Sequence, residues 1–195
     1  MLEKGEYLLV SSYSKAELVG GLILGDFVRK TDDNFLRGAL TKHAAEEFNH
    51  ALYVVEALEE MGLEPLEVHD TSKNQYFAEA GMPKDAVEIM AMTAAFEPAV
   101  IHHYNAHIAT PGTHPALIKA MQKMNDEDDE HKDWVVEWLN NYPDQEYAQA
   151  TFERYKKILV KVSKIELERL EKAGGRLAMI AEKSRSLPRP KDAWW

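Results

Sequence analysis

The sequence predicts an all-α fold: a four-helix bundle with a long crossover between its second and third helices, followed by a fifth helix and a tail. Apolar residues recur at helical spacing along nearly the whole chain, and no strand-like alternation stands out. Short segments with Asp, Gly or Pro separate most of the helical stretches. The one long connection, over residues 63–83, is what a bundle requires when its second and third helices run parallel.

The first two helices form the first half of the predicted bundle. The first helix starts near Tyr7 or Ser14 and ends at Lys30. The second starts after Asp33, whose side chain suits a helix N-cap, and it ends at Met61. Because the connection between them is so short, the two helices are expected to be antiparallel neighbours.

The other two bundle helices follow the crossover, in which only residues 75–79 look helical. The third bundle helix starts after Pro83 and ends before Thr110. The fourth covers about residues 115–140. The short loop between them predicts a second antiparallel pair.

A fifth helix is expected over about residues 144–172, and the sequence leaves open whether it continues past the Gly174–Gly175 pair to Ser184. The tail ends in the Trp194–Trp195 pair. Two adjacent Trp side chains are expected to dock on the protein rather than remain in water.

Length and composition bound the class of protein. A chain of 195 residues fits one domain, residues 1–195, with the bundle core at about 8–140 and a C-terminal helix and tail at 144–195. There is no Cys, which excludes disulfides, Fe–S clusters and thiolate metal ligands. The formal charge of −10 argues against nonspecific binding to nucleic acid or to an anionic membrane. Because neither a signal peptide nor a run of ~20 apolar residues is evident, a cytoplasmic protein without a membrane span is expected.

Carboxylates and histidines recur on the four bundle helices in the order that a di-metal site requires. Such a site takes a lone Glu from each of two helices and a Glu-x-x-His pair from each of the other two. The chain offers six candidates in chain order: Glu17, Glu47 with His50, Glu97, and Asp128 with His131. Glu17 lies 30 residues before Glu47, and Glu97 lies 31 residues before Asp128. Each antiparallel pair of helices therefore places its two acids at one level of the bundle, and the two nearly equal spans predict one site.

Each carboxylate candidate also has a plainer explanation. Glu17 completes a capping box that begins at Ser14, if the first helix starts there. Glu97 is a surface residue in the plainer explanation, but it stands in an otherwise apolar run, where a buried charge needs a partner or a metal. Asp128 belongs to five consecutive acids, residues 126–130, which suit a solvated helix face. The agreement of order, spacing and crossover favours the metal site.

On these residues, the segment from Ser14 to Asn140 resembles the ferritin-like superfamily of di-iron carboxylate proteins, especially bacterioferritin and rubrerythrin. The resemblance implies two Fe ions, with Mn or a mixed Fe/Mn pair as alternatives, and neither haem nor an Fe–S cluster. It implies that Glu47 and Glu97 bridge the metals and that the other four candidates are terminal ligands. It also implies that the acids before the paired ligands, Glu46 and Glu127, orient the ligating imidazoles.

The chain departs from these two relatives in several positions. It has no Cys for a rubredoxin-like iron domain, and Val100 and Ile101 stand where rubrerythrin has a further acid. Phe48 stands where bacterioferritin has its haem-ligating Met. Tyr104, two turns after Glu97 on the same face, is a candidate redox or hydrogen-bonding residue beside the site. Three histidines on the third helix are expected to be hydrogen-bonded structural residues, with extra ligands or a proton path as the alternative: His102, His103 and His107.

Two glycines near Glu17 could make room for a substrate beside the metals. Gly20 and Gly21 lie within a helix, where each Gly costs ~1 kcal/mol relative to Ala. Either a close helix crossing or space for an organic substrate beside the metals would offset that cost. Pro98, directly after Glu97, is expected to loosen the third helix at the site.

Three functional hypotheses follow from these residues. The first is an oxidase or oxygenase that activates O₂ or H₂O₂ at two Fe ions, acts on a small apolar organic molecule and takes electrons from a donor. The second is a ferroxidase or peroxide-scavenging protein without an organic substrate. The third is a non-enzymatic bundle that stores metal or serves as a scaffold. A homodimer is expected from the resemblance.

Overall fold

The computed structural model describes residues 2–69 and 72–189, without the side chains of residues 72–74 and 129–133. Within these ranges the chain is all-helical and contains no strand, which confirms the predicted all-α class. The helices are, in chain order, α1 (Lys4–Lys30), α2 (Asn34–Glu60), α3 (Ser72–Ala80), α4 (Ala86–Ile108), α5 (Pro115–Asn140), α6 (Gln145–Ala173) and α7 (Gly175–Ser186).

Four long helices pack around a common interior. Helix α1 packs on α2, α2 on α5, α5 on α4, and α4 returns to α1. The predicted N-cap of α2 is confirmed, because the Asp33 carboxylate accepts hydrogen bonds from the backbone N–H groups of Phe35 (2.8 Å) and Leu36 (3.2 Å). The long connection between α2 and α4 is confirmed too, and its predicted helical piece is part of α3, which packs on α6.

The start of α1 differs from the sequence-based expectation. The helix begins at Lys4, so Ser14 lies in its interior and the capping-box explanation of Glu17 is wrong. The Ser14 hydroxyl instead donates a hydrogen bond to the backbone carbonyl of Ala51 at 3.1 Å, which ties α1 to α2. The additional N-terminal part of α1 is stabilised by contacts with α7, a helix that lies far from it in the sequence.

The fifth predicted helix does not continue through the glycine pair. Gly174 has φ 74° and ψ −168°, a conformation open to Gly and strained for other residues, and it ends α6. Helix α7 then begins at Gly175, and the Glu3 carboxylate accepts a hydrogen bond from the Arg176 N–H at 3.0 Å. The expected docking of Trp194 and Trp195 concerns residues outside the described ranges.

Two apolar clusters fill the interior at different levels. One is built around residues such as Leu24, Leu40 and Val135, and the other around Val10, Val54 and Met124. On each of the helices α1, α2, α4 and α5, the predicted ligand positions lie between these two clusters. Across the described part of the chain, no helix combines the length and apolar character that crossing a membrane requires.

Candidate metal centre

Glu17, Glu47 and His50 meet in the buried layer between the two apolar clusters. Each offers a donor atom, and these atoms all lie within 4.8 Å of one another. All three side chains are buried. The antiparallel packing of α1 and α2 brings Glu17 level with the Glu47–His50 pair, as their spacing in the sequence predicts.

Asp128 on α5 faces the same layer from the opposite side. Its Oδ1 atom lies 3.6 Å from His50 Nδ1, and the residue is only 4% exposed. The solvated-face explanation is therefore wrong for Asp128, although it stands in an acidic run. Burial raises the pKa of the Asp128 carboxyl well above its usual value, and the negative charges of Glu97, Glu17 and Glu47 raise it further. This crowding of carboxylates is what a bound cation would relieve.

Glu97 on α4 joins the cluster by its contact with His43, a residue that the sequence analysis did not identify. His43 Nε2 lies 2.9 Å from Glu97 Oε1 and 3.5 Å from Glu47 Oε1, so this imidazole points between the two proposed bridging carboxylates. Burial disfavours the charged imidazole, but Glu97 and Glu47 raise the pKa of His43 to about 10. The signal was present in the sequence, since His43 precedes Glu47 by four residues and shares its helix face.

Glu127 holds the imidazole of His50 from the side away from Asp128. His50 Nε2 donates to Glu127 Oε2 at 3.0 Å, and the Tyr53 hydroxyl donates to Glu127 Oε1 at 3.2 Å. This geometry turns Nδ1 of His50 toward Asp128, which is the arrangement by which an outer carboxylate orients a ligating imidazole.

Glu46 is the other acid predicted to orient an imidazole. Its Oε1 atom lies 3.4 Å from Nζ of Lys42 on the same helix. Its predicted orienting role stays a prediction. His131 belongs to α5, but its side chain lies outside the described part of the structure. The predicted ligand role of His131 therefore stays a prediction too.

Tyr104 connects the centre to a buried polar chain. Its hydroxyl donates a short hydrogen bond to Glu17 Oε1, which places Tyr104 directly against a candidate ligand, as its helix face predicted. The Tyr13 ring packs edge-on against the Tyr104 ring, with centroids 5.0 Å apart. The Tyr13 hydroxyl lies 2.8 Å from His103 Nε2 and 3.1 Å from His107 Nδ1.

The chain continues away from the centre toward α7. His107 Nε2 donates to Glu6 Oε1 at 3.1 Å, and Arg176 Nη2 donates to the same oxygen at 2.8 Å. On the same helix, His102 Nε2 donates to the Ser184 carbonyl at 2.8 Å. The three α4 histidines therefore form hydrogen bonds with α1 and α7, as expected for structural residues.

Two cavities border the cluster. The larger, about 120 Å³, lies between α1, α4 and α6, and both Glu17 and Tyr104 line it. The smaller, about 50 Å³, is lined by residues that include Gly20, Glu47 and Glu97. Both cavities thus reach carboxylates of the cluster.

Gly20 and Gly21 have different roles. Gly20 lines the smaller cavity. A Cβ at Gly21 would lie 2.8 Å from the Phe48 ring, so this glycine permits a close approach of α2 to α1. The close-crossing explanation therefore applies to Gly21, whereas the substrate-space explanation stays a prediction for both glycines.

The donor set fits a transition-metal centre. Carboxylate oxygens and imidazole nitrogens are the ligands that Fe, Mn and Zn accept, and the buried group of Glu17, Glu47 and His50 supplies both kinds within reach of one ion. Asp128 and Glu97 add two further buried carboxylates in the same layer. No protein-family model, curated protein or solved structure matches this chain.

Proposed function

We propose that this chain is a ferritin-like di-iron carboxylate oxidoreductase that activates O₂ or peroxide and oxidises a small apolar organic molecule. The observation that carries this proposal is the cavity of about 120 Å³ that opens onto Glu17. Apolar side chains dominate its wall, and Glu17 belongs to the cluster with Glu47 and His50. A protein that only oxidises or stores iron needs no such room beside its metal ligands.

The arrangement of the helices supports the ferritin-like assignment. Two antiparallel pairs, α1–α2 and α4–α5, pack on each other, and a long segment joins the pairs. Ligand positions follow in the order lone acid, acid with histidine, lone acid, acid with histidine, which is the pattern of di-iron bundles. All of the carboxylates among them are buried in one layer.

Each candidate residue has a definite task in the proposal. Glu47 and Glu97 would be shared by the two metals, and Glu17 with His50 and Asp128 with His131 would be the remaining ligands. Two Fe ions supply the capacity to bind O₂ or peroxide and to pass electrons two at a time. A pair of Mn ions or a mixed pair is the alternative, since the donor set does not distinguish them.

Residues around the ligands orient them and control access. Glu127 accepts a hydrogen bond from the imidazole of His50, and the Tyr104 hydroxyl donates one to Glu17 at the cavity wall. The wall of the larger cavity, which includes Phe96 and Val100, is mostly apolar and would favour the apolar part of a substrate. Together these residues would orient the ligands and line the approach to them.

A ferroxidase or peroxide-scavenging activity is the second candidate. The smaller cavity, about 50 Å³, reaches Glu47 and Glu97 and has room for O₂ or H₂O₂ but for little else. Such a cavity is sufficient for iron oxidation without an organic substrate.

Metal analysis combined with single-turnover kinetics tests the proposal. The purified protein is expected to hold, or to take up under argon, two Fe ions per chain and to oxidise them in one rapid phase after O₂ or H₂O₂ is added. His50→Ala and Glu97→Ala are each expected to lose metal with the helical circular-dichroism signal intact. His69→Ala, at a strongly exposed histidine, is the matched control and keeps both metals. Two metals per chain in both ligand variants would overturn the ligand set.

A further inference from the structure

Helix α2 presents three side chains that suit a metal along one face. His43, Glu47 and His50 follow one another at intervals of four and three residues, so they project from the same side of the helix. All three side chains are buried. At a rise of about 1.5 Å per residue, His43 lies about 6 Å before Glu47 along the helix axis, and His50 lies about 4.5 Å after it. A carboxylate that two metals share thus has one imidazole on each side of it along α2.

The two imidazoles contact different carboxylates of the cluster. His50 belongs with Glu17 and Glu47 to the group whose donor atoms all lie within 4.8 Å of one another. His43 Nε2 lies instead 2.9 Å from Glu97 Oε1 and 3.5 Å from Glu47 Oε1. The two imidazoles are therefore available to different metal ions.

The distances around His43 suit donor atoms that surround one ion. Nitrogen and oxygen ligands lie about 2.1 Å from a first-row metal such as Zn. Two donors at that distance are about 3.0 Å apart at a right angle and about 3.4 Å apart at a tetrahedral angle. The contacts of His43 Nε2 with Glu97 and Glu47, at 2.9 Å and 3.5 Å, are close to these two values.

The ion on the Glu97 side also has reason to take a further ligand. Asp128, one of its proposed ligands, stands where the Glu-x-x-His pattern has a Glu, and its side chain is shorter by one methylene. Burial raises the pKa of the Asp128 carboxyl, while the positive charge of His43 opposes this rise, so His43 is near Asp128 as well. His43 is thus close to Glu47, Glu97 and Asp128, which are three of the proposed ligands.

We propose that His43 is a metal ligand in addition to the six candidates, and that its Nε2 atom binds the ion held by Glu97 and Asp128. This assignment rests on the metal centre of the proposed function, but not on the reaction with O₂ or on an organic substrate. An imidazole binds a metal only in its neutral form, so the ion takes the place of the proton that Glu97 and Glu47 stabilise on His43.

Proton NMR of the Co(II)-loaded protein counts the ligating imidazoles. The ring N–H proton of an imidazole bound to Co(II) is shifted far downfield through the bonds, whereas an imidazole that only forms a hydrogen bond to a carboxylate has no such through-bond shift. The wild type is expected to show one such signal each from His43, His50 and His131. A wild-type spectrum with a single signal would overturn the proposal without any variant.

Variants assign the additional signal. His43→Gln is expected to bind one of the two Co(II) ions at least tenfold more weakly and, at saturating Co(II), to lack one shifted signal. His43→Gly provides a second variant, in which free imidazole is expected to restore the affinity for that ion. The matched control is His69→Gln, at a strongly exposed histidine, and it keeps every signal. Weaker binding with every signal retained would mean that His43 only orients the carboxylates, and this result, like unchanged spectra and affinities, would overturn the proposal.

These measurements separate the two proposals. If His43 proves to be a ligand of Co(II) but the Fe(II)-loaded protein does not react with O₂ or H₂O₂, the proposed function fails and the ligand assignment stands. If Fe(II) is oxidised but His43→Gln keeps every signal and both affinities, only the ligand assignment fails. If the wild type binds no metal, both fail.

Discussion

Removing the carboxylate of Glu127 should weaken metal binding, although Glu127 is not itself among the proposed ligands. The carboxylate accepts from His50 Nε2 at 3.0 Å and from the Tyr53 hydroxyl at 3.2 Å, and so fixes the imidazole that faces Asp128. Replacement of such an outer carboxylate costs about 10- to 100-fold in metal affinity, equivalent to about 1.4 to 2.7 kcal/mol.

The geometry decides where within that range each variant falls. The Glu127 side chain is 28% exposed, so solvent screens its charge and favours the lower end. Glu127→Gln keeps an oxygen that can accept from Nε2, and we expect about a tenfold loss. Glu127→Ala removes both hydrogen bonds and frees the ring to turn, and we expect a loss nearer to 100-fold.

The assay is a competition titration of the metal-free protein with Co(II) against a chromophoric chelator, because Co(II) is not oxidised during the measurement. The matched control is Glu137→Gln, at an exposed acid on the same helix, which should bind as the wild type does. Wild-type affinity in Glu127→Ala would refute the reasoning, since the contact to His50 would then have no effect on the centre.

Two further predictions concern stability. Burial alone would raise the pKa of Glu6, but hydrogen bonds from His107 and Arg176 lower it from 4.5 to about 2, which corresponds to roughly 3 kcal/mol. This stabilisation is present above about pH 4.5 and is lost as the pH falls toward 2, so urea unfolding of Glu6→Gln should differ from the wild type strongly at pH 7 and much less at pH 3. Gly25→Ala, where nothing lies within 4 Å of the added Cβ, should raise the free energy of unfolding by up to ~1 kcal/mol. Gly21→Ala should not, because its Cβ would meet the adjacent Phe48 ring, and equal gains in thermal unfolding would contradict this difference.

Local patterns in the sequence predicted the helices and much of the cluster. Asp33 marks the start of α2, since an N-cap is set by the residue itself and the next two N–H groups. The spacing of Glu17 and Glu47 predicted that they meet, because an antiparallel helix pair with a short loop fixes which residues are level.

What the sequence did not predict depends on contacts between distant segments. The start of α1 at Lys4 and the break at Gly174 are linked, because Glu3 accepts from the Arg176 N–H across 173 residues of chain. His43 was missed for a different reason. It lies on the Glu47 face, but only the assembly of the bundle places Glu97 of α4 2.9 Å from it.

The C-terminal helices bear on the choice between the two candidate functions. Helix α6 packs on α4 and supplies a wall of the larger cavity, including Val162 and Glu166. Without this wall, the space beside Glu17 would lose one of its apolar sides. Helix α7 holds Glu6 through Arg176, and Glu6 in turn holds His107, which lies against Tyr13 in the same wall. The candidate metal ligands all belong to the bundle helices, whereas the apolar cavity beside Glu17 also needs residues of α6 and α7, and this favours the proposal of an organic substrate over iron oxidation alone.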